Sequence, residues 1–292
     1  MNKKVAIVTD STAHIPEELT KGLPVFTIPL HLIWGGKSYR DDVDITPIEF
    51  YSRLKSDRET PKTSHVTPYE FQKLYDDLYA SGFDILSIHI TSKYTKVYES
   101  ALQAARTLPD ARIQVMDSGS GAMAMGFQVL EAAKTAEQGK GIDECRKAAE
   151  KTQANTGVFF IPATLEFLRR GGRISQMTAL IGSMLQFKPI LTVQNGSLVA
   201  LSKVRTMHHA KDHLVEIVTQ HILAGKSIHF AFLHSNIPER AQELLEKTLA
   251  RFHPDRIKDV IVTDISPALG THIGPDAVGL AYMLDETSVV QG

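Results

Sequence analysis

Short apolar runs alternate with helix-start signals through the first half of this chain, and that alternation most constrains its fold. Thr46 and Thr67 each begin a Thr-Pro-x-Glu capping box, which marks a helix start. Residues 97–106 and a segment ending near residue 138 also have helical patterns. Between these helices lie apolar runs with the length of buried strands, at 4–9, 25–32, 84–91 and 112–117. The alternation predicts a parallel sheet in a doubly wound, Rossmann-like α/β layer.

The rhythm changes after Gly157, where strand patterns follow one another more closely. Two apolar runs flank Asn195-Gly196 and predict a hairpin with a two-residue turn. Further strands are predicted at 158–160, 227–234 and 257–265, with helices at 209–224 and 237–252. We therefore expect a mixed or antiparallel sheet here. The predicted organisation is an α/β domain over 1–155 and a mixed α/β domain over 156–292.

Composition excludes some classes of function. The 292 residues include 32 basic and 33 acidic ones, a net charge of -1, so a nucleic-acid partner is not expected. The single cysteine, Cys145, allows no internal disulfide and fits a reducing compartment. The first apolar run has four residues, too few for a signal peptide or a membrane span. A cytoplasmic protein without stable membrane insertion is expected.

Short polar side chains follow several of the predicted strands. They are Thr9-Asp10-Ser11, Thr63-Ser64, Thr91-Ser92 with Thr95, and Asp117-Ser118. Ligands of open α/β sheets bind beyond the carboxyl ends of the strands, where hydroxyls can donate to an anion. The same residue types are the usual helix caps. Both interpretations stay open for each residue, and the grouping of four such sites favours a binding site.

Other motifs are less specific. Gly119 to Ala124 fits G-x-G-x-x-A, but the next strand pattern is too far away for a dinucleotide fold, so a strand-to-helix turn is predicted. His209 and His213 have metal-ligand spacing, yet their neighbours indicate a solvated helix face. His272 lies between two glycines, in either a simple turn or an anion site. The chain contains no Walker loop, G-x-S-x-G or H-E-x-x-H motif, which favours a binding protein without a cofactor over an enzyme.

The segment 165–191 combines an Arg-Arg-Gly-Gly-Arg turn with an apolar helical pattern and a Lys-Pro strand start. Clustered cations beside apolar surface indicate a site where an anion meets an apolar group. The segment also resembles the signature of the DegV family of bacterial fatty-acid-binding proteins. Further matching fragments run in order along the chain, at 8–19, 29–45, 61–71, 115–126, 187–191, 203–210 and 270–275.

This resemblance implies a two-domain α/β fold that buries one long-chain fatty acid between its domains. It also implies that hydroxyls of the first domain hold the carboxylate. A separate ATP-dependent fatty acid kinase subunit then converts the carboxylate to an acyl phosphate, so the protein itself is a carrier and no enzyme.

Carried onto this sequence, the resemblance assigns Thr63, with Ser64 beside it, and Thr95 as carboxylate donors, and His272 as part of their hydrogen-bond network. It assigns Arg173 and Arg205 to the acyl-phosphate product or to the kinase. The chain departs from the family pattern in four places. Lys96-Val97 follow Thr95, Ala122 and Asp276 replace a common Ser and Gly, and His14 replaces a usual Asp.

The apolar helix predicted at 177–185 is expected to line an acyl tunnel through Ile181, Met184 and Leu185, because methionine adapts to chain shape. An ordinary core helix is the alternative. Two other functions also stay open. One is a hydrolase or transferase that uses His272 with Ser64 or Ser92. The other is a lipid sensor with a non-kinase partner, motivated by Lys96 and Val97.

Overall fold

A computed structural model describes residues 3–176, 187–222 and 225–288 of the chain. Its strands are β1 Lys4–Asp10, β2 Val25–Ile28, β3 His31–Trp34, β4 Lys37–Arg40, β5 Lys62–Ser64, β6 Phe83–His89, β7 Ile113–Asp117, β8 Thr156–Ile161, β9 Lys188–Gln194, β10 Ser197–Val204, β11 Lys226–His234, β12 Ile257–Asp264 and β13 Val278–Ser288. Its α-helices are α1 Glu17–Thr20, α2 Pro47–Ser56, α3 Pro68–Ala80, α4 Val97–Arg106, α5 Ala122–Glu137, α6 Ile142–Ala154, α7 Glu166–Arg170, α8 Met207–His221, α9 Pro238–Leu249 and α10 Pro267–Ile273. No helix in these ranges is both long and apolar enough to cross a bilayer.

The first sheet is fully parallel, as the alternating sequence pattern predicts. Its strand order is β2-β1-β6-β7. Val5 to Val8 of β1 are buried. Helix α5 packs against β1, and helices α3 and α6 pack against the neighbouring strand β6. A parallel strand covered on both faces needs a continuous apolar run, and the sequence KVAIVTD supplies one. Both predicted capping boxes, at Thr46 and Thr67, are formed.

One predicted strand of the first half is wrong. The run at 25–32 divides at Pro29 into β2, in the parallel sheet, and β3, in a separate antiparallel sheet of order β4-β3-β5. Proline cannot donate to a ladder, so the chain leaves the first sheet at this point. The small sheet packs on α2 around buried Trp34 and Phe50. It brings Thr63, in β5, beside Leu32 of β3.

The second sheet is mixed, one of the two alternatives that the sequence left open, with strand order β10-β9-β8-β13-β11-β12. Only β11 and β12 pair in parallel among these strands. Asn195 and Gly196 both have positive φ, 48° and 77°, which is the backbone of a type I′ turn in the predicted β9–β10 hairpin. The interior strand β13 was not anticipated, since its apolar run carries no clear alternation.

Helix α5 joins the two sheets. It packs against β1 of the first sheet and against β8 and β13 of the second, and it is buried over most of its length. A helix covered on several sides must be apolar all round, as AMAMGFQVL is. Its start confirms that Gly119 to Ala124 form a strand-to-helix turn, with Gly119 at φ 58°.

The segment around His272 is a short helix, α10, where the sequence indicated a turn. Ser266 caps it, Pro267 opens it and Gly274, at φ 84°, ends it. Although α10 follows β12 in the chain, Ala268 belongs to the hydrophobic core of the first sheet. His272 is thereby carried to the first sheet's side of the molecule.

Candidate functional site

A cavity of about 470 Å³ lies between the two sheets. Such a volume falls within the ~300–1,000 Å³ typical of small-molecule sites. Its apolar lining comes from both sides of the molecule and includes Leu30, Ile90, Val158, Phe160, Val193, Leu198, Leu233, Ile265, Leu269 and Ile273. Its hydroxyl-bearing lining comes from the turn after β1, from β5 and from the loop after β6, and includes Thr12, Thr63, Ser64, Thr91, Ser92 and Thr95.

The structure brings most of the candidate residues to this cavity. Thr63, Ser64, Thr95, Arg173 and His272 all line it, although they are far apart in sequence. Arg205 is exposed after β10 and does not line it. The proposed tunnel residues Ile181, Met184 and Leu185 lie outside the described residues.

The side chains of Thr63 and His272 meet directly, with Oγ1 2.8 Å from Nε2. Burial, and then the charge of Arg173, lower the pKa of His272 to about 3, so the imidazole is neutral near pH 7. Its Nδ1 is buried without a hydrogen-bond partner in the described part of the chain. Because an orphaned N–H is rarer than an orphaned acceptor, we place the proton on Nε2, donating to Thr63. The Thr63 hydroxyl proton is then free to donate into the cavity.

Arg173 stands beside this pair as a half-buried cation. Its Nη1 donates to the Gly171 carbonyl at 2.6 Å and its Nη2 to the Tyr94 carbonyl at 2.9 Å. Burial lowers its pKa, but a guanidinium stays charged at neutral pH. Both of these bonds go to backbone carbonyls, and Arg173 also lines the cavity.

A second, smaller cavity of about 260 Å³ adjoins the first. The two share Thr63, Arg173 and His272 in their walls, and the smaller one adds Lys62 and Arg170. The hydrogen-bonded pair Thr63–His272 therefore borders both an apolar compartment and a cationic one. This arrangement suits a molecule with a long apolar tail and an anionic head.

The loop between β6 and α4 is tied to the β9–β10 hairpin. The Thr91 hydroxyl donates to the Gly196 carbonyl at 3.0 Å, and the Leu198 amide donates to the Tyr94 hydroxyl at 2.5 Å. A Cβ on Gly196 would lie 2.6 Å from Thr91 Oγ1, so the close approach requires glycine. These contacts place Thr95 in the cavity wall.

Some of the polar residues at the strand ends hold loops and turns, and others line the cavity. Asp117 accepts from the Ser92 hydroxyl at 2.6 Å and from the Gly119 amide at 2.8 Å, so it organises a loop. Asp10 accepts from the Thr12 amide and hydroxyl. Thr63 and Ser64, in contrast, face the cavity.

Sequence reasoning missed a buried polar pair beneath the cavity. Asp10 Oδ2 lies 3.0 Å from His89 Nδ1, and both side chains are fully buried. On its other nitrogen, His89 contacts the Ser87 hydroxyl at 2.7 Å. The only sequence signal was a histidine inside the apolar strand ILSIHI. The pair fixes the turn that carries Thr12.

The arrangement does not favour the hydrolase alternative. His272 bonds to a threonine hydroxyl, while Ser92 donates to Asp117, and neither Ser64 nor Ser92 bonds to His272 in the described structure. The described residues also hold no cluster that could bind a metal ion. Of the spaced histidines, His209 is exposed and His213 contacts the Ser202 hydroxyl at 3.0 Å.

Known proteins of one family resemble this chain over nearly its whole length. The family model described as "Uncharacterised protein, DegV family" matches residues 4–285. A DegV domain-containing protein of Clostridium perfringens is 35% identical over 283 residues, covering 95% of this chain and 98% of that protein. The crystal structure of DegV, a fatty acid binding protein from Bacillus subtilis, superimposes with a TM-score of 0.89 at 29% identity, covering 97% of this chain and 100% of that one. A structure described as fatty acid binding of a DegV family protein from Thermus thermophilus gives the same values. The chain therefore belongs to the DegV family.

Proposed function

We propose that this protein binds a long-chain fatty acid, with the acyl chain in the main cavity and the carboxylate at Thr63, Ser64, Thr95 and His272. The observation that carries the proposal is the Thr63–His272 pair, which lies where an apolar cavity meets a cationic one. The relatives from B. subtilis and T. thermophilus, described as fatty-acid-binding, support it.

The chemistry of a carboxylate fits these donors. An ionised carboxylate only accepts hydrogen bonds, so a site that buries it must supply O–H or N–H groups and a nearby cation. The Thr63 hydroxyl accepts a hydrogen bond from Nε2–H of His272 and can donate its own proton to the carboxylate. Each buried methylene contributes ~0.8 kcal/mol, so a long acyl chain contributes on the order of 10 kcal/mol.

The same site suits a carrier that presents its ligand to a kinase. In that reaction a carboxylate oxygen attacks the γ-phosphorus of ATP, the bond to ADP breaks, and an acyl phosphate forms. The smaller cavity, with Lys62, Arg170 and Arg173, would receive the added phosphoryl group. Exposed Arg205 is assigned to contact with the partner kinase. We expect this carrier to act in the cytoplasm, without a cofactor.

Mass spectrometry of the purified protein tests fatty-acid binding first. Under native conditions we expect the mass of the chain plus one long-chain acid, and denaturation followed by lipid extraction should release that acid. Protein that is empty and also takes up no added palmitate or oleate would overturn the proposal.

Kinase coupling needs a separate test. With a DegV-type fatty acid kinase and labelled ATP, the loaded protein should yield acyl phosphate. Replacement of Arg173 by Gln should lower this yield more than it lowers palmitate affinity. A protein that binds palmitate but never supports phosphorylation would instead favour the lipid-sensor alternative.

A further inference from the structure

Helix α10 carries His272 in its last turn. The start of this helix contacts residues from the first half of the chain. Asp41 Oδ1 accepts from the Ala268 amide at 3.0 Å. The Ser266 amide faces the ring of His14, with its nitrogen 2.5 Å from Nε2 and 3.1 Å from Nδ1. The Tyr51 hydroxyl donates to the Ile265 carbonyl at 2.9 Å. The chain segment that presents His272 is thus held by three residues more than 200 positions earlier in the sequence.

Asp41 is the charged member of this anchor. It directly follows β4 and is 1% exposed. Its second oxygen, Oδ2, accepts from the Ser11 hydroxyl at 2.6 Å, and Ser11 Oγ in turn accepts from the Leu30 amide at 3.1 Å. A carboxylate at the first turn of a helix is also favoured by the helix dipole. One carboxylate therefore joins the turn after β1 to the start of α10.

Close packing leaves α10 little freedom around this anchor. A Cβ on Gly270 would lie 2.4 Å from the Tyr51 hydroxyl oxygen, and one on Gly171 would lie 2.2 Å from Nδ1 of His272. The helix therefore touches its neighbours on both sides, backbone against side chain. A small shift of its first turn moves His272 relative to Thr63, whose bond of 2.8 Å tolerates little displacement.

We propose that Asp41 is a positioning residue for the head-group site: its carboxylate fixes α10 so that His272 stays bonded to Thr63 with the threonine proton directed at the anionic ligand. This inference rests on the proposed binding of a fatty acid. It adds a residue that contacts neither cavity and that the family resemblance did not assign.

We expect the affinity for an anionic ligand to depend on pH through protonation of Asp41. Burial is the main cause that raises the pKa of Asp41 to about 6, and neighbouring Asp42 raises it further, against the bonds from Ser11, Ala268 and Ser266. His14, Tyr51 and Asp264 also face this region, and His14 is neutral above about pH 4. Protonation of Asp41 removes the charge that holds α10, so anion affinity should fall as the pH falls through about 6.

Asp41 should affect the stability of the fold in the opposite direction from its effect on ligand affinity as the pH falls. A carboxyl whose pKa is raised by folding binds its proton more readily in the folded state than in the unfolded chain. Its contribution to the free energy of unfolding therefore becomes more favourable between about pH 6 and pH 4. If ligand affinity falls in that pH range, protonation of Asp41 has therefore weakened binding by displacing α10, and not by destabilising the fold.

The test compares wild type with Asp41→Asn, using hexadecanesulfonate as the probe because its head group stays charged throughout. For wild type we expect affinity to fall about tenfold from about pH 7.5 to about pH 5. Asp41→Asn should already bind about tenfold more weakly at pH 7.5, and its affinity should change little with pH. Asp44→Asn, at an exposed site three residues away, is the matched control and should behave like wild type.

A second readout reports on His272 itself. In spectra of ¹⁵N-histidine-labelled protein, with the His272 signal assigned by a His272→Ala variant, Asp41→Asn should shift that signal at pH 7.5. If Asp41→Asn does not fold, Ser11→Ala serves instead, and the wild-type His272 signal should move near pH 6, far above its own pKa of about 3.

The outcomes separate the two proposals. Wild type that binds neither palmitate nor hexadecanesulfonate would overturn the proposed function. Wild type that binds, together with an Asp41→Asn variant that has unchanged affinity, an unchanged pH profile and an unchanged His272 signal, would overturn only the positioning role of Asp41.

Discussion

At the scale of single residues, the site depends on which atom carries each proton. Burial keeps His272 neutral, and its Nδ1 has no hydrogen-bond partner among the described residues, which places the proton on Nε2. The Thr63 hydroxyl then accepts a hydrogen bond from His272, which leaves its own proton free to point into the cavity. In the proposed complex, a neutral histidine orients this hydroxyl toward the anion and Arg173 supplies the positive charge.

The first prediction concerns Thr63. Thr63→Val keeps the shape of the side chain but removes both the donor to the carboxylate and the acceptor for His272. We expect palmitate affinity to fall by ~1–3 kcal/mol, measured by calorimetry or by displacement of a fluorescent fatty acid. Thr63→Ser restores the hydroxyl and should restore most of the affinity. Equal losses in both variants would mean that the hydroxyl is not the group that matters.

A similar change at Thr95 tests the loop between β6 and α4. Thr95→Val removes a cavity-facing donor and should cost ~1–3 kcal/mol of affinity. Thr107→Val, at the opposite end of α4, removes a hydroxyl that bonds only to the Ala104 carbonyl and is the matched control. Unchanged affinity in the Thr95 variant would show that this hydroxyl does not contact the head group.

At the scale of secondary-structure elements, the site is assembled from ends and turns. β5 presents Thr63, α10 presents His272, and the turn after α7 presents Arg173. The β9–β10 hairpin holds the loop that carries Thr95. Each element is short, so its position depends on contacts with neighbours more than on its own stability.

The hairpin contact can be measured by adding one methyl group. Gly196→Ala places a Cβ 2.6 Å from Thr91 Oγ1 on a residue with φ 77°, so it should lower the free energy of unfolding by ~2–4 kcal/mol and weaken fatty-acid binding. Gly22→Ala has a similar φ of 83° but no atom within 4 Å of the new Cβ, and isolates the backbone cost of ~1–2 kcal/mol. Denaturant unfolding of both variants gives the difference. If the two losses are equal, the hairpin does not depend on this close contact.

At the scale of the whole molecule, the two sheets and α5 enclose a cavity to which both halves of the chain contribute. Polar contacts across the halves, such as that of His14 with Ser266, are partly buried. The size of the cavity and the stability of the fold therefore both depend on how the two sheets pack together.

Burial of His14 predicts a pH dependence of stability. Desolvation lowers its pKa from 6.5 to about 4, so the folded state binds this proton less readily than the unfolded chain. Its contribution to stability is present above pH 6.5 and is lost as the pH falls toward 4, on the order of 3 kcal/mol in total. Urea unfolding across this range should show a steeper loss for wild type than for His14→Gln. Parallel curves would mean that His14 is not buried as a neutral acceptor.

The cavity volume predicts ligand size selection. Val158→Phe, on β8, fills part of the apolar lining and should disfavour longer chains. Exclusion of two methylenes corresponds to ~1.6 kcal/mol, so the preference between palmitate and myristate should shift by about 15-fold. Val260→Phe, on the exposed edge strand β12, makes the same substitution outside the cavity and should leave the preference unchanged. An unaltered preference in both variants would place the acyl chain elsewhere.

Much of the fold was accessible from the sequence because its signals are local. The buried run of β1, the capping boxes at Thr46 and Thr67, and the Asn195-Gly196 turn each specify a backbone conformation within a few residues. The split at Pro29 was missed because both halves of 25–32 are apolar, and only pairing with different partners distinguishes them.

The candidate site was only partly accessible. Residue types and family resemblance selected Thr63, Thr95, Arg173 and His272, and the fold brings all four to one cavity. The hydrogen bond from the Ala268 amide to Asp41 was not visible, because an aspartate after a strand looks the same in sequence whether it is exposed or contacts a distant helix.

The sequence by itself determined the α/β class, the parallel first sheet, the hairpin and the residue types available to bind an anion. Only the tertiary structure decided that α10 crosses to the first sheet, that Thr63 and His272 meet, and that Asp41 and His14 hold the helix start. The physical reason is one of range. Helix caps, turns and strand patterns act over a few bonds, whereas burial, desolvation and hydrogen bonds between residues 200 positions apart exist only once the chain has packed.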